Sequence, residues 1–317
     1  MGFCLVLGAG GLVGIAHHVG ALRALEREGG LVPDKADLII GTSAGSVVAA
    51  YLRSGWSTEE LHDRIRVLPA VAPVAATSGA LDLACHIVGS AYVLARSTVT
   101  TPVLWPKIPR QIRRRFPAGL VHSGDAPKVL EMDLPAAWPA RPLWVTSLDF
   151  VSGRRVVFGG PAELQGPGPG LPDVTLSRAV QASCAIPGLY PPVRIGQRIF
   201  VDGGAYSPTN LDLVTSANCD VVICISPMSH APGPLIGPHW RALRMLPSIA
   251  LRREVEIVRK RGINPVVIAP ASSELRAHGL NPMRATGLDA VVDAAYEATA
   301  RMIDSGGLGS VLAEHAA

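Results

Sequence analysis

The sequence predicts an α/β fold of three layers, in which a mostly parallel central sheet carries helices on both faces. Apolar runs of strand length alternate with helical patterns along the chain, with no internal repeat and no clear linker. Only 17% of the residues are charged and 48% are hydrophobic, as expected for strands that are buried on both faces. A length of 317 residues suits one large domain, so we expect residues 1–317 to form a single unit.

The second apolar run ends in a serine-containing turn. Gly41-Thr42-Ser43-Ala44-Gly45 fits the pattern G-x-S-x-G, and a helical pattern over 46–53 follows directly. A strand, a sharp turn with serine at its tip and a helix form a nucleophile elbow, which exposes the serine hydroxyl. The pattern alone also fits a simple Ser/Gly-rich turn before a helix, so the rest of the chain has to decide between the two.

A glycine-rich turn follows the first predicted strand, residues 3–7. The order Gly8, Gly10, Gly11, Gly14 departs from a dinucleotide-binding fingerprint, which needs glycine where Val13 stands. The turn suits another use. Acyl transfer to serine requires donors for the oxyanion, and the backbone amides of Gly10 and Gly11 let a carbonyl oxygen approach closely.

Taken together, these motifs resemble the patatin-like phospholipase family over residues 3–270, in the same order. In that family a glycine-rich turn precedes G-x-S-x-G, and Asp-Gly-Gly completes a Ser-Asp dyad; here Asp202-Gly203-Gly204 ends a short apolar run. The resemblance implies a patatin-like fold, with Ser43 as nucleophile, Asp202 as base, and Gly10, Gly11 and the Ala44 amide as oxyanion hole. It implies supporting roles for Gly8, Gly14, Gly41, Gly45, Gly203 and Gly204.

Two further segments bear on the resemblance. Residues 182–187 (ASCAIP) and 190–192 (YPP) match the helix and proline-rich segment that often precede the family's aspartate. Val13 departs from the family, which usually carries arginine or lysine two residues after the glycine pair. We expect the backbone donors to survive this change, whereas any help from the cation is lost.

Residues 57–130 are expected to form a helical cap or lid inserted into the domain. The capping box formed by Ser57 and Glu60 predicts a helix to about residue 67. The apolar run 83–95 is shorter than the roughly 20 residues needed to span a bilayer. The segment 105–116 mixes five cations with apolar and aromatic side chains, which suits peripheral contact with an anionic membrane as well as a solvated helix.

The remaining features exclude several classes of protein. A net charge of +4 is weak evidence for nucleic-acid binding, and we expect none. The histidines show no metal-ligand spacing with carboxylates, so we expect neither metal nor cofactor. Five scattered cysteines without C-x-x-C indicate no disulfide framework and favour a reducing compartment. With no signal peptide or membrane span in the sequence, we expect a cytoplasmic protein, peripheral to the membrane at most.

Three readings of function stay open beside a serine lipid acyl hydrolase. An α/β-hydrolase shares G-x-S-x-G but places the elbow after several strands and uses a later histidine, and no histidine here has a suitable setting. An esterase or thioesterase for small acyl groups would use the same dyad. A binding protein that keeps the fold without activity is the third, and Val13 is the feature that favours it.

Overall fold

The computed structural model describes residues 2–71, 125–166, 171–217, 219, 221–233 and 238–305. The strands are β1 (Phe3–Leu7), β2 (Leu38–Thr42), β3 (Leu143–Asp149), β4 (Arg155–Phe158), β5 (Val193–Ile195), β6 (Arg198–Asp202), β7 (Val221–Ile225) and β8 (Val266–Ile268). The helices are α1 (Gly11–Arg27), α2 (Ala44–Arg53), α3 (Thr58–Val71), α4 (Ala126–Asp133), α5 (Leu176–Ser183), α6 (Pro238–Arg259), α7 (Leu275–His278) and α8 (Leu288–Asp304).

These strands form one eight-stranded sheet, which confirms the predicted α/β architecture. Its order is β5-β6-β3-β2-β1-β7-β8, and β4 pairs with β3 outside this order. The strands β3, β2, β1, β7 and β8 run parallel, whereas β4, β5 and β6 add antiparallel pairs at one side. The antiparallel pairing of β3 with β4 is the hairpin that two adjacent apolar runs separated by Ser152-Gly153 predict.

Helices cover both faces of the sheet. In β1, Leu5 and Leu7 point into a core shared with α1, α2, α5 and α8, because alternate residues of a strand face opposite sides. Cys4 and Val6 point into a second core formed with α6 and the residues before β7. All four side chains are fully buried. Burial on both faces explains why the parallel strands read as unbroken apolar runs.

Several boundaries differ from the sequence prediction. The helical pattern of the sequence predicts a helix over 15–28, and in the structure this helix begins at Gly11, directly at the glycine-rich turn, because glycines at the first turn do not prevent a helix from starting. The pattern also predicts a helix over 247–261, which in the structure begins at Pro238 and contains Pro247 in its interior. The capping box is confirmed: the Ser57 N–H donates to Glu60 Oε2 (2.7 Å) and the Glu60 N–H to Ser57 Oγ (3.2 Å).

The predicted absence of a disulfide is wrong. Cys4 and Cys219 are bonded across a sequence separation of 215 residues, with their Cα atoms 5.9 Å apart. Only the parallel pairing of β1 with β7 brings these positions together, and spacing in the sequence does not reveal it. The cysteine pattern therefore gives no support to a reducing compartment.

Most of the predicted cap, 72–124, and the arginine-rich segment 105–116 lie outside the described residues. The cap insertion and the membrane contact stay predictions. Within the described part of the chain, no helix combines the length and the apolar character that crossing a membrane requires.

Candidate active site

Ser43 lies in the tight turn between β2 and α2. Its backbone is in a strained conformation, with φ 52° and ψ −118°, which a non-glycine residue adopts only where the surrounding structure enforces it. The flanking glycines are required sterically. A Cβ atom at Gly41 would lie 2.6 Å from Ser46 Cα, and one at Gly45 would lie 2.0 Å from the Leu7 carbonyl oxygen. The local structure is the strand-turn-helix arrangement that the G-x-S-x-G pattern predicts.

A hydrogen bond from the elbow to α5 fixes the position of Ser43. The Ser43 N–H donates to Ser183 Oγ at 2.9 Å, and the Ser46 hydroxyl donates to the Ser43 carbonyl at 2.7 Å. Ser183 is fully buried, so a substrate cannot reach its hydroxyl. This burial fits a residue that positions the elbow and does not fit a second nucleophile. Ser183 lies in the segment 182–187 that the sequence singles out, but the sequence does not predict this contact, because the contact depends on α5 packing beside α2.

Asp202 ends β6 and is brought to Ser43 by the pairing of β6 with β3 and of β3 with β2. The carboxylate accepts the Gly204 N–H at 2.6 Å. Burial raises the pKa of Asp202 to about 7, while contacts with the Ser43 hydroxyl and the Gly204 N–H lower it in part. The Ser43 side chain therefore lies within reach of the Asp202 carboxylate.

The glycine-rich turn presents free N–H groups next to this pair. Gly11 has φ +62°, which favours glycine, and a Cβ there would lie 2.6 Å from both Met283 Sδ and the Pro282 carbonyl oxygen. Among the described residues, none accepts a hydrogen bond from the N–H of Gly10, Gly11 or Ala44. These amides lie at the N-terminal ends of α1 and α2, where the helix dipoles also favour negative charge.

The supporting glycines connect these parts. The Gly8 carbonyl accepts the Gly45 N–H (3.1 Å) and the His18 ring nitrogen (2.7 Å), which ties the glycine-rich turn to the elbow. A Cβ at Gly203 would lie 2.5 Å from Thr146 Oγ1, and one at Gly14 would lie 3.3 Å from Ala44 Cβ. Gly204 supplies the N–H that binds Asp202.

Two cavities meet at Ser43. The smaller, of about 130 Å³, also contains Gly10, Asp202 and Val13 in its wall. The larger, of about 510 Å³, extends between α2, α3, α4 and α5 and includes Ala44. Both cavities are lined by Gly11, Ser43, Ile186 and Met283. The serine therefore lies at a junction that can admit the two halves of an ester, one on each side.

The fold thus brings together the residues predicted for the site, and other side chains lie beside them. Cys184 Sγ lies 3.9 Å from Ser46 Oγ in the wall of the larger cavity, and burial raises the pKa of its thiol to about 12. Arg244 on α6 lines the smaller cavity. Arg244 precedes the helix predicted from residue 247, so the sequence offered no sign that it faces the site.

The chain matches the model of a known protein family. The model of the patatin-like phospholipase family matches residues 5–215, about two thirds of the chain, and includes Ser43, Asp202 and both glycine motifs. The protein belongs to the patatin-like phospholipase family.

The solved structures that resemble it more distantly include the following three. VipD from Legionella pneumophila is 14% identical (TM-score 0.47), with 96% of this chain and 66% of VipD covered. Human GIVD cytosolic phospholipase A2, solved in complex with methyl gamma-linolenyl fluorophosphonate, is 13% identical (TM-score 0.48; 100% and 60% covered). The type III effector ExoU is 16% identical (TM-score 0.38; 95% and 53% covered). The chain therefore spans about half to two thirds of the length of these proteins.

Proposed function

We propose that this protein is a serine hydrolase of lipid carboxylic esters, acting through Ser43 and Asp202. The observation that carries the proposal is the strained Ser43 elbow, which shares one cavity with a buried carboxylate and free backbone N–H groups. Membership of the family supports lipid esters as the substrate class.

In the proposed reaction, Ser43 Oγ attacks the ester carbonyl carbon as Asp202 takes the hydroxyl proton. The carbonyl oxygen becomes an oxyanion and accepts hydrogen bonds from Gly10, Gly11 and Ala44. The intermediate collapses, the bond to the alcohol oxygen breaks, and Asp202 returns the proton to the departing alcohol. Water then attacks the acyl-enzyme with Asp202 again as base, which releases the fatty acid and restores Ser43.

A carboxylate with an ordinary pKa is a weak base for a serine hydroxyl. Burial brings the pKa of Asp202 to about 7, which matches the base to neutral pH. The proton transfer therefore needs no histidine. His18, the histidine bonded to the glycine-rich turn, has its pKa lowered to about 4 by burial and makes its contact with a backbone carbonyl.

The larger cavity is the proposed site of the acyl chain. Its volume of about 510 Å³ lies within the range of small-molecule sites, and the side chains of Val47, Val48, Leu61 and Ile65 give it apolar walls. Each buried methylene contributes about 0.8 kcal/mol, so a long chain gains much more from this cavity than acetate does.

A chain-length series tests the substrate class. We expect kcat/KM for p-nitrophenyl esters to rise from acetate to at least decanoate, and Ser43→Ala to remove turnover of every member. Monoacylglycerol and lysophospholipid assays with mass detection of the released fatty acid extend the series to lipids. Peak activity at acetate would overturn the lipid assignment in favour of a small-ester esterase, and preference for acyl thioesters would favour a thioesterase. Absence of turnover throughout would favour the binding protein without activity.

A further inference from the structure

One cation lies in the wall of the smaller cavity, among the described residues that line it. Arg244 is 8% exposed and shares that cavity with Ser43 and Gly10, and the other charged side chain there is Asp202. Burial lowers the pKa of Arg244 to about 10, so the guanidinium is charged at neutral pH. A charged group is costly to bury, and at this position it faces the space in which one half of an ester would lie.

Backbone carbonyls fix one side of the guanidinium. Arg244 Nη1 donates to the carbonyl oxygens of Pro227 and Ser229, at 2.7 Å each, and Nη2 donates to His278 Nδ1 at 3.0 Å. A guanidinium has five N–H groups, so two remain, and no described residue accepts from them. Pro227 in turn packs on the oxyanion turn: its Cβ would lie 3.0 Å from a Cβ built on Gly10.

Histidines support the guanidinium from behind. His278 Nε2 lies 3.2 Å from His17 Nδ1, which lies 3.8 Å from Glu274 Oε1. These three side chains lie close enough together to ligate a metal ion, a grouping that spacing in the sequence does not reveal. The bond from Arg244 argues against that use. His278 Nδ1 must offer its lone pair to the guanidinium, so in the neutral ring the proton occupies Nε2, the atom that would have to bind the metal.

We propose that Arg244 binds a phosphate group on the alcohol half of the substrate, so that the enzyme favours phosphate-bearing lipid esters over neutral glycerides. The inference rests on the proposed function. With the acyl chain in the larger cavity, the alcohol half occupies the smaller one, beside Arg244. The two remaining N–H groups match phosphate oxygens, and a charge-assisted bond is strong where water is largely excluded. Val13 lines the same cavity and leaves this charge without a second cation beside it.

The test compares two esters that share acyl chain and glycerol and differ only in the phosphate: 1-palmitoyl lysophosphatidic acid and 1-palmitoylglycerol. In Arg244→Gln we expect kcat/KM for the phosphate-bearing ester to fall about 10- to 100-fold, and that for the neutral ester to change less than about threefold. Arg53→Gln is the matched control, because the Arg53 side chain is fully buried and also bonds backbone carbonyls, away from both cavities. Its substrate ratio should match wild type.

Two further measurements, one on a double variant and one with inorganic phosphate, cover the cases in which Arg244→Gln folds poorly or Arg244 binds another anion. Adding Val13→Lys to Arg244→Gln returns a cation to the cavity from α1 and should restore part of the preference for phosphate. Equal losses for both esters, or an unchanged ratio, would overturn the proposal. A third outcome would also overturn it: wild type cleaves the two esters equally well, and inorganic phosphate inhibits wild type but not Arg244→Gln. The ligand of Arg244 would then be free phosphate. If wild type cleaves neither ester, the proposed function itself has failed.

Discussion

Asparagine at position 202 is expected to reduce turnover of a lipid ester by about 10²- to 10⁴-fold while the protein stays folded. The amide cannot accept the Ser43 proton, although its oxygen can still accept the Gly204 N–H that orients the loop. Steady-state kinetics on the preferred chain length and thermal melting at pH 8 measure the two effects. Because the exchange removes a charge whose burial is unfavourable, the melting temperature should not fall.

Asp149→Asn provides the matched control for this variant. Asp149 is 4% exposed and Asp202 is 5% exposed, so both substitutions remove a buried carboxylate. Asp149 binds Arg198 at 2.8 Å and lines neither cavity, so its loss should lower stability and leave the turnover of folded protein near that of wild type. Turnover within tenfold of wild type in Asp202→Asn would refute the role of base.

Gly11→Ala is expected to lower kcat by about 10²- to 10³-fold, the loss that follows removal of one oxyanion donor. The new methyl group would lie 2.6 Å from Met283 Sδ and the Pro282 carbonyl oxygen, at a backbone φ of +62°. Either the glycine-rich turn or the segment around Pro282 must shift, and the N–H of Gly11 moves with it. Because the donors act mainly in the transition state, kcat should fall more than KM rises.

Gly30→Ala separates backbone strain from the loss of the donor. Gly30 has φ +65°, close to that of Gly11, but nothing lies within 4 Å of a Cβ there. It should cost about 1 kcal/mol of stability from left-handed strain and leave kcat unchanged. An equal fall of kcat in the two variants, or none in Gly11→Ala, would contradict the assignment of the oxyanion hole.

The sequence predicted the parts of the site that depend on local pattern. Strand, turn and helix around Ser43 are encoded within ten residues, because only glycine fits at positions 41 and 45. The residues alone did not predict the order of the strands. They therefore did not predict that Asp202 lies near Ser43, because this requires β3 to lie between β2 and β6. Here the motif order of the family supplied what the residues alone left open.

Some of the features that the sequence did not reveal depend on contacts between residues distant in the chain. Ser183 binds an amide 140 positions away, and the disulfide joins Cys4 in β1 to Cys219, just before β7, across 215 positions. Arg244 was missed for a local reason. The helical pattern predicts a helix from Pro247 to Arg261, whereas α6 begins at Pro238 and passes through Pro247. The error concealed the helical turn that carries Arg244 to the cavity.

The central claim is that Asp202 activates Ser43, and the pH dependence of labelling by a fluorophosphonate tests it most directly. Intact-mass and peptide mass spectrometry of wild type should show one adduct, on Ser43, and Ser43→Ala should show none. The base must be ionised, so the rate should rise about tenfold per pH unit below pH 7 and level off above it, following the raised pKa of Asp202. Asp202→Asn should label far more slowly at every pH. A rate in wild type that does not change between pH 5 and 8, or one that Asp202→Asn leaves intact, would contradict the account.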